Sequence, residues 1–323
     1  MILEVNSESP QELIYSIAKT IDAPVIDGTM QIPGSYGTGY IKGIAIPDGP
    51  TILIRQYELK EELKVTSKAS VQGNGDIIIS YHNIYHDKDT SKNRKTSPAF
   101  VQMESAGIDY HELFPSRTRL NTIIIIIKIE QLKALINPRA NQSVMQDVLA
   151  KKKPFIFEEL ISPEMQHVAN QILTKIVSFD LQDFFFRIKA EELIFLLFAE
   201  LDRRANIPIS PLNSADVKTI YAIRDQVIED LSINPNIPQL AKSYGISESK
   251  LKRLFRQIFG NSIYNYYQSL RMDRAGLLIR ENKRSVAEIG YELGFSNLSH
   301  FASLFQRYNG HKPKKYAQLY HLK

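Results

Sequence analysis

Apolar and polar positions fall into two textures along the chain. Up to about residue 130, short apolar runs are broken by Pro24, Pro33, Gly34, Gly37, Gly39, Gly43, Pro47, Gly49 and Pro50, a pattern that predicts strands and turns. Thr51 to Leu59, Val65 to Val71, Ile77 to Ile84, Phe100 to Met103 and Thr122 to Ile129 are the predicted strands, with Gly73-Asn74-Gly75 as a hairpin turn. A short helix is expected over residues 11 to 20. The unbroken run Ile123 to Ile127 has no polar alternation, so it predicts a strand buried on both faces. Several strands without helical patterns between them point to an antiparallel, barrel-like (cupin-like) domain over residues 1 to 150.

The period then changes. Ser162-Pro163 is a helix start, with serine as cap and proline in the first turn, and Met165, Val168, Ala169, Ile172 and Ile176 follow at helical spacing. A second helix, Leu181 to Arg204, gathers Leu181, Phe184, Phe185, Ile188, Leu196 and Ala199 on one side. Its Phe186, Leu193, Ile194, Phe195, Leu197 and Phe198 spread apolar area around the rest. That surplus fits either packing within the chain or a subunit interface, so residues 155 to 205 are expected to form a helical hairpin that dimerises the protein. Residues 206 to 213, with Pro208 and Pro211, are the expected linker.

Residues 214 to 323 are helical and contain a repeat. Gly245 and Ser247 match Gly294 and Ser296 at an offset of 49, whereas Leu254, Phe255, Gly260 and Tyr266 match Leu304, Phe305, Gly310 and Tyr316 at an offset of 50. One residue is therefore inserted near the start of the second copy's last helix. Each copy reads as a short helix, a glycine turn and a second helix opened by a serine: Ile237 to Tyr244 then Ser247 to Phe259, and Val286 to Leu293 then Ser296 to Tyr308. Ser285 with Glu288 has the spacing of a capping box. Between the copies, Ser262 to Arg280 predicts one helix of 19 residues, about 28 Å long at 1.5 Å per residue, close to one DNA turn of about 34 Å. Such a connector suits two helices reading successive major grooves.

The faces of the two candidate reading helices follow from their apolar spacing. Leu251, Leu254, Phe255 and Ile258 point inward in the first, leaving Ser249, Lys252, Arg253 and Arg256 outward. Phe301, Leu304, Phe305 and Tyr308 are inward in the second, leaving Ser299, Ala302, Ser303, Gln306 and Arg307 outward, with His300 at the border. Such faces can meet base edges in a major groove. Lys312, Lys314 and Lys315 in the closing segment would meet phosphate or serve solubility alone.

Charge supports this division. Residues 214 to 323 hold 17 Lys/Arg against 9 Asp/Glu, and residues 1 to 213 hold 23 against 26, so the basic surplus is C-terminal. The chain has no cysteine, which removes disulfides, thiolate metal sites and thiol nucleophiles. The isoleucine run Ile123 to Ile127 is far shorter than the roughly 20 residues of a membrane span, and the N-terminus does not read as a secretory signal, so a soluble, cytoplasmic protein is expected. No serine elbow, carboxylate dyad or phosphate loop stands out. Gly37-Thr38-Gly39-Tyr40-Ile41-Lys42-Gly43 has the wrong spacing for a dinucleotide loop, and His82 and His86 lie about 13 Å apart if both sit in one strand. No cofactor or metal is expected. The rival reading is a metal-using barrel hydrolase or oxygenase fused to a DNA-targeting domain.

The residues Ser285-Val286-Ala287-Glu288-Ile289-Gly290, Gly294-Phe295-Ser296-Asn297-Leu298-Ser299-His300-Phe301, Phe305, Gly310, Pro313 and Tyr316 resemble the signature of AraC/XylS-type transcriptional regulators over about residues 217 to 320. The resemblance implies an α+β protein: an N-terminal effector-binding or dimerising domain, then a seven-helix DNA-binding domain with two helix-turn-helix units. It implies double-stranded DNA, a small-molecule effector and RNA polymerase as partners. It places base reading on Ser249, Lys252 and Arg253 in the first unit and on Leu298, Ser299, His300, Ala302 and Ser303 in the second. Many members carry a basic residue where Ser303 stands, so readout there is expected to be weaker or to rest on methyl contacts. Gly37 to Ile44, with Phe114-Pro115, is similar to the siderophore-responsive, PchR-like subgroup, which would make a ferric siderophore the effector.

Overall fold

The computed structural model describes residues 2–5, 10–67, 76–84, 99–105, 112–114, 116–136, 144–150, 155–204 and 212–321. The chain separates into two compact units, Met1–Leu212 and Asn213–Lys323. The hairpin turn expected at Gly73 to Gly75, His86 and most of the expected linker lie outside the described residues.

Unit 1 runs β1 (Ile2–Val5), α1 (Pro10–Thr20), β2 (Val25–Ile26), β3 (Thr29–Gln31), β4 (Gly37–Ala45), β5 (Thr51–Leu59), β6 (Leu63–Ser67), β7 (Asp76–His82), β8 (Phe100–Ser105), β9 (Glu112–Phe114), β10 (Arg119–Lys128), α2 (Ile129–Leu135), α3 (Val144–Leu149), β11 (Ile156–Leu160), α4 (Pro163–Thr174) and α5 (Gln182–Arg203). Eight strands form one antiparallel sheet in the order β11-β8-β7-β10-β5-β4-β3-β2, and β1, β6 and β9 form a smaller sheet. The large sheet is open: β11 and β2 are its edges. This corrects the barrel expectation, and the physical reason lies in the coverings of its faces.

The isoleucine run in β10 divides between those faces. Ile123, Ile125 and Ile127 pack with Ile52, Ile79 and Met103 beneath Met165 and Val168 of α4 and Leu193 and Leu197 of α5, while Ile124 packs on the opposite face with Leu53, Tyr57 and the α1 residues Ile14, Ile17 and Ile21. Each fully buried isoleucine contributes about 1.5–3 kcal/mol, so an apolar run without alternation is satisfied by two cores rather than by closure. Helices cover one face and α1 the other, and the sheet has no need to curl upon itself.

The start of α4 forms as its sequence requires: Ser162 accepts a hydrogen bond from the Met165 amide at 3.2 Å, with Pro163 in the first turn. Ile176 lies beyond the helix end and is 98% exposed, against its expected place on the buried stripe. In α5 the buried residues are Phe186, Ala190, Leu193, Ile194, Leu197, Phe198 and Leu201, whereas Leu181, Phe184, Ile188 and Phe195 are exposed. Of the first expected face, Leu181, Phe184 and Ile188 point outward, while Phe185 and Leu196 are half-buried against the core. A helix with apolar residues all round gives no period from which to choose. The Tyr81 hydroxyl on β7 donates to the Leu193 carbonyl at 2.7 Å, which holds α5 on the sheet. At its end, the buried Arg204 pairs with Glu159 of β11 and stands over the Phe157 ring.

Unit 2 is helical throughout: α6 (Ser214–Glu229), α7 (Ile237–Ser243), α8 (Glu248–Phe259), α9 (Ile263–Glu281), α10 (Val286–Glu292), α11 (Leu298–Asn309) and α12 (Pro313–His321). Its core is arranged around α9. Met272, Ala275, Leu278 and Ile279 pack with Ile289, Phe295, Phe301, Phe305 and Tyr316, and toward the other end Tyr266 packs on the rings of Phe255 and Phe259 at 5.5 and 5.0 Å.

Candidate nucleic-acid interface

Two helix pairs in unit 2 have the same local construction. In the first, α7 ends at a turn through Gly245 at φ 65°, and Ser247 opens α8 by accepting from the Lys250 amide at 3.3 Å. In the second, Ser285 and Glu288 make the reciprocal capping box of α10, and the turn passes through Gly294 at φ 78°. Hydrogen bonds from the Ser285 amide and then from its hydroxyl hold the Glu288 carboxyl below its usual range. The opening of α11 differs from expectation. Asn297, not Ser296, is the cap, and it accepts from the amides of Ser299 and His300. Asn297 takes the place of the cap Ser247 at an offset of 50, while Phe295 still matches Ile246 at 49, so the extra residue is Ser296, absorbed in the turn rather than in the helix.

Both second helices end on a left-handed glycine, Gly260 at φ 69° and Gly310 at φ 77°, the backbone region that glycine enters without steric cost. Helix α9, capped by Ser262, spans 19 residues between the pairs and is about 28 Å long.

The α8 face is as the spacing indicates. Ser249, Lys252, Arg253 and Arg256 are all exposed, while Leu251, Leu254, Phe255 and Ile258 are buried. Two of its cations already have partners: Lys252 pairs with Glu248 at 2.8 Å and Lys250 with Asp216 at 2.7 Å. The first pair has the i, i+4 spacing that the sequence could have revealed.

The α11 face is more mixed. Ser299, His300, Ser303, Gln306 and Arg307 are exposed, Ala302 is half-buried, and Leu298 is half-buried against Gly290 of α10. Tyr308, expected in the core, is 37% exposed, with Arg307 over its ring. The core of this half is already filled by Phe301, Phe305 and Tyr316. Lys314 and Lys315 are exposed on α12.

One contributor gave no signal in the sequence. Arg271 on α9 is 3% exposed, and its guanidinium donates to the Leu293 carbonyl at the end of α10 and to Gln268. It also lies 3.8 Å from the centre of the Phe295 ring and 4.9 Å from that of Tyr267. Burial lowers its pKa, opposed by Tyr267 and Tyr264. Phe295 in turn touches the rings of His300 and Phe301. The arginine therefore ties the connecting helix to the turn that aims α11.

In unit 1, Gly37 and Gly39 of β4 approach β5 so closely that a side-chain carbon would lie 2.2 Å from the Glu58 carbonyl oxygen and 2.1 Å from that of Gln56. Backbone contact accounts for these glycines. His82 stacks on Phe100 at 4.5 Å. Among the described residues, no group of three or more His, Asp or Glu is placed to hold a metal ion, and no helix is long and apolar enough to cross a membrane.

Residues 240–318 match the family model described as a helix-turn-helix domain. The curated relatives include the HTH-type transcriptional regulator ArgR of Pseudomonas aeruginosa, 28% identical over 39% of this chain and 38% of that protein. The HTH-type transcriptional activator RhaR of Cronobacter sakazakii is 27% identical over 42% of this chain and 48% of that one. The match spans less than half the length of these relatives. Among solved structures, a transcriptional regulator of Chromobacterium violaceum titled as having an AraC-type DNA-binding domain is 25% identical over 33% of this chain and 95% of that one, with a TM-score of 0.30.

Proposed function

From a C-terminal unit that matches a helix-turn-helix family model and HTH-type regulators, we propose that the whole protein is a sequence-specific transcriptional regulator of the AraC type rather than an enzyme. Double-stranded DNA is its partner at unit 2, and unit 1 is its effector-sensing and dimerising half. The observation that carries this reading is the repeat itself: two helix pairs of one construction, each with an exposed polar face on its second helix, held by one stiff connector. RNA polymerase is the partner expected for such a regulator.

Arg253 is the principal base reader of the first unit. It is exposed on α8, and a guanidinium can donate two hydrogen bonds to one guanine, worth about 1–3 kcal/mol of discrimination. Ser249, Lys252 and Arg256 flank it. In the second unit Ser299, His300, Ser303 and Arg307 face the groove, with Leu298 and Ala302 giving methyl contacts at the edge. Lys314 and Lys315 touch phosphate, which adds affinity without sequence information. Arg253→Ala is expected to lower the ratio of operator to scrambled-DNA affinity about tenfold, whereas Lys315→Ala weakens both alike and reduces the salt slope by about one unit. Titrations on both duplexes at several salt concentrations decide it, and equal losses on both for Arg253→Ala would remove the base-reading assignment.

For assembly, the exposed α5 stripe of Phe184, Ile188 and Phe195 supports a homodimer through this helix. Leu193 is fully buried, so the informative change is Phe195→Glu, which should halve the molecular mass in light scattering while leaving the circular dichroism unchanged. An unaltered mass in a folded, initially dimeric protein would place the dimer contact elsewhere.

The effector is a small molecule bound in unit 1. A ferric siderophore is the effector that the resemblance over Gly37 to Ile44 implies, although backbone packing accounts for Gly37 and Gly39. Ferric chelates that alter operator binding would support that assignment.

A further inference from the structure

Unit 1 contains a cavity of about 220 Å³ between α1 and the sheet face formed by β4 and β5. Its walls are Ile17, Ile21, Ile41, Leu59, Tyr36 and Tyr57. Its mouth carries both signs of charge, Lys60, Glu61 and Glu62, beside Ser35. The rim is a clasp. The Lys60 amide donates to the Tyr36 carbonyl at 2.9 Å, the Lys60 ammonium donates to the Gly34 carbonyl at 2.5 Å, and the turn closes with the Tyr36 and Gly37 amides on the Pro33 carbonyl.

Resting on the reading of unit 1 as the sensing half, we propose that this cavity binds a neutral one-ring aromatic molecule bearing a hydroxyl group, of the phenol class, with the ring inside and the hydroxyl at the mouth. Size sets the first limit. A dry apolar cavity of about 150 Å³ takes a benzene ring, and sites for drug-sized ligands begin at about 300 Å³. A cavity of 220 Å³ holds one ring with a small substituent and not a chelate that wraps several donor groups around a metal.

Polarity sets the second limit. Apolar walls exclude a charge from the interior, because an ionised group there loses its hydration without a partner. At the mouth, a carboxylate accepts from Lys60 but is repelled by Glu61 and Glu62, and an ammonium meets the reverse conflict. A hydroxyl both accepts and donates, so it can accept from the lysine and donate to a carboxylate. A phenol, with a pKa near 10, keeps its proton at neutral pH.

The test is titration calorimetry of the full-length chain with p-cresol, benzoate and benzylamine. The expected result is one p-cresol site per chain with a negative heat-capacity change, the mark of apolar burial, and binding of the two charged rings at least ten times weaker. Ile32 also lines the cavity and is half-buried, so Ile32→Phe should fill the space and abolish binding. Its own melting temperature, compared with that of the unaltered protein, shows that it is folded. No p-cresol binding at millimolar concentration, undiminished binding to folded Ile32→Phe, or tighter binding of benzoate or benzylamine each overturns the proposal. If Ile32→Phe fails to fold, Ser35→Phe at the mouth takes its place with the same expectation. Operator affinity is measured separately: binding of p-cresol without any change in DNA affinity leaves the site standing and removes its regulatory link. A chain that binds no DNA with or without p-cresol counts against the regulator reading alone.

Discussion

Replacing Gly294 with alanine is expected to lower the stability of unit 2 by about 3 kcal/mol or more, whereas Gly245→Ala costs about 1 kcal/mol, the left-handed backbone penalty alone. Both glycines sit in the turn of a helix pair with positive φ. They differ in what lies beyond them. A side-chain carbon on Gly294 would be 2.1 Å from the carbonyl oxygen of Ser232, and one on Gly245 would meet nothing within 4 Å. Ser232 belongs to the segment between α6 and α7 and is backbone at the point of contact, so the clash cannot be relieved by rotating a side chain. At roughly 4–8 °C per kcal/mol for a domain of about 100 residues, calorimetry of the full-length protein should show the C-terminal transition falling by more than about 10 °C for Gly294→Ala and by several degrees for Gly245→Ala. Equal shifts would mean that Ser232 does not brace the second turn.

Arg271→Met is the second change with a large expected effect, a loss of about 3 kcal/mol from the forfeited ring stacking and the Leu293 carbonyl left without its donor. The methionine keeps much of the apolar stem, so the loss reports the guanidinium itself. The control is Arg256→Met on the exposed face of α8, which should stay within about 0.5 kcal/mol. Because Phe295 connects Arg271 to α11, operator contacts made by the second unit should also weaken. Footprinting of Arg271→Met at a temperature where the protein remains folded should show protection lost over the half-site proposed for α11 and retained over that proposed for α8. Uniform loss, or stability equal to that of Arg256→Met, would show that the arginine does not aim the second helix.

What was legible in the sequence was what the chain specifies over a few residues. Ser162, Ser247, Ser262 and the Ser285–Glu288 box each open a helix where their spacing places it, because a cap and the amides it accepts from are neighbours. The polar face of α8 was readable for the same reason: its apolar residues recur at a single helical period. Asn297 does not stand out as a cap because Ser296 occupies the position that matches Ser247 at an offset of 49, and only the change of offset marks the longer turn. The outer and inner faces of α5 could not be distinguished in a helix that is apolar on every side. The strand β11, the open sheet order and the Arg271 contacts depend on partners distant in sequence, such as the pairing of Ile156 with Glu104, and no local pattern encodes them.

The arrangement of the larger core in unit 1 also bears on how the protein is made. All of its strands but β11 have emerged once β10 is made, but β11 and the helices that cover the face, α4 and α5, follow later, and the residue that closes the set is Leu201. At about 5–20 residues per second of synthesis, the stretch from Ile127 to Leu201 takes on the order of 4–15 s to appear. During that interval the nascent chain carries an isoleucine-rich surface with no cover. The ribosome-bound intermediate is therefore the state in which this protein is most exposed to aggregation, and a chaperone that holds the chain until α5 arrives would act on the β7–β10 face.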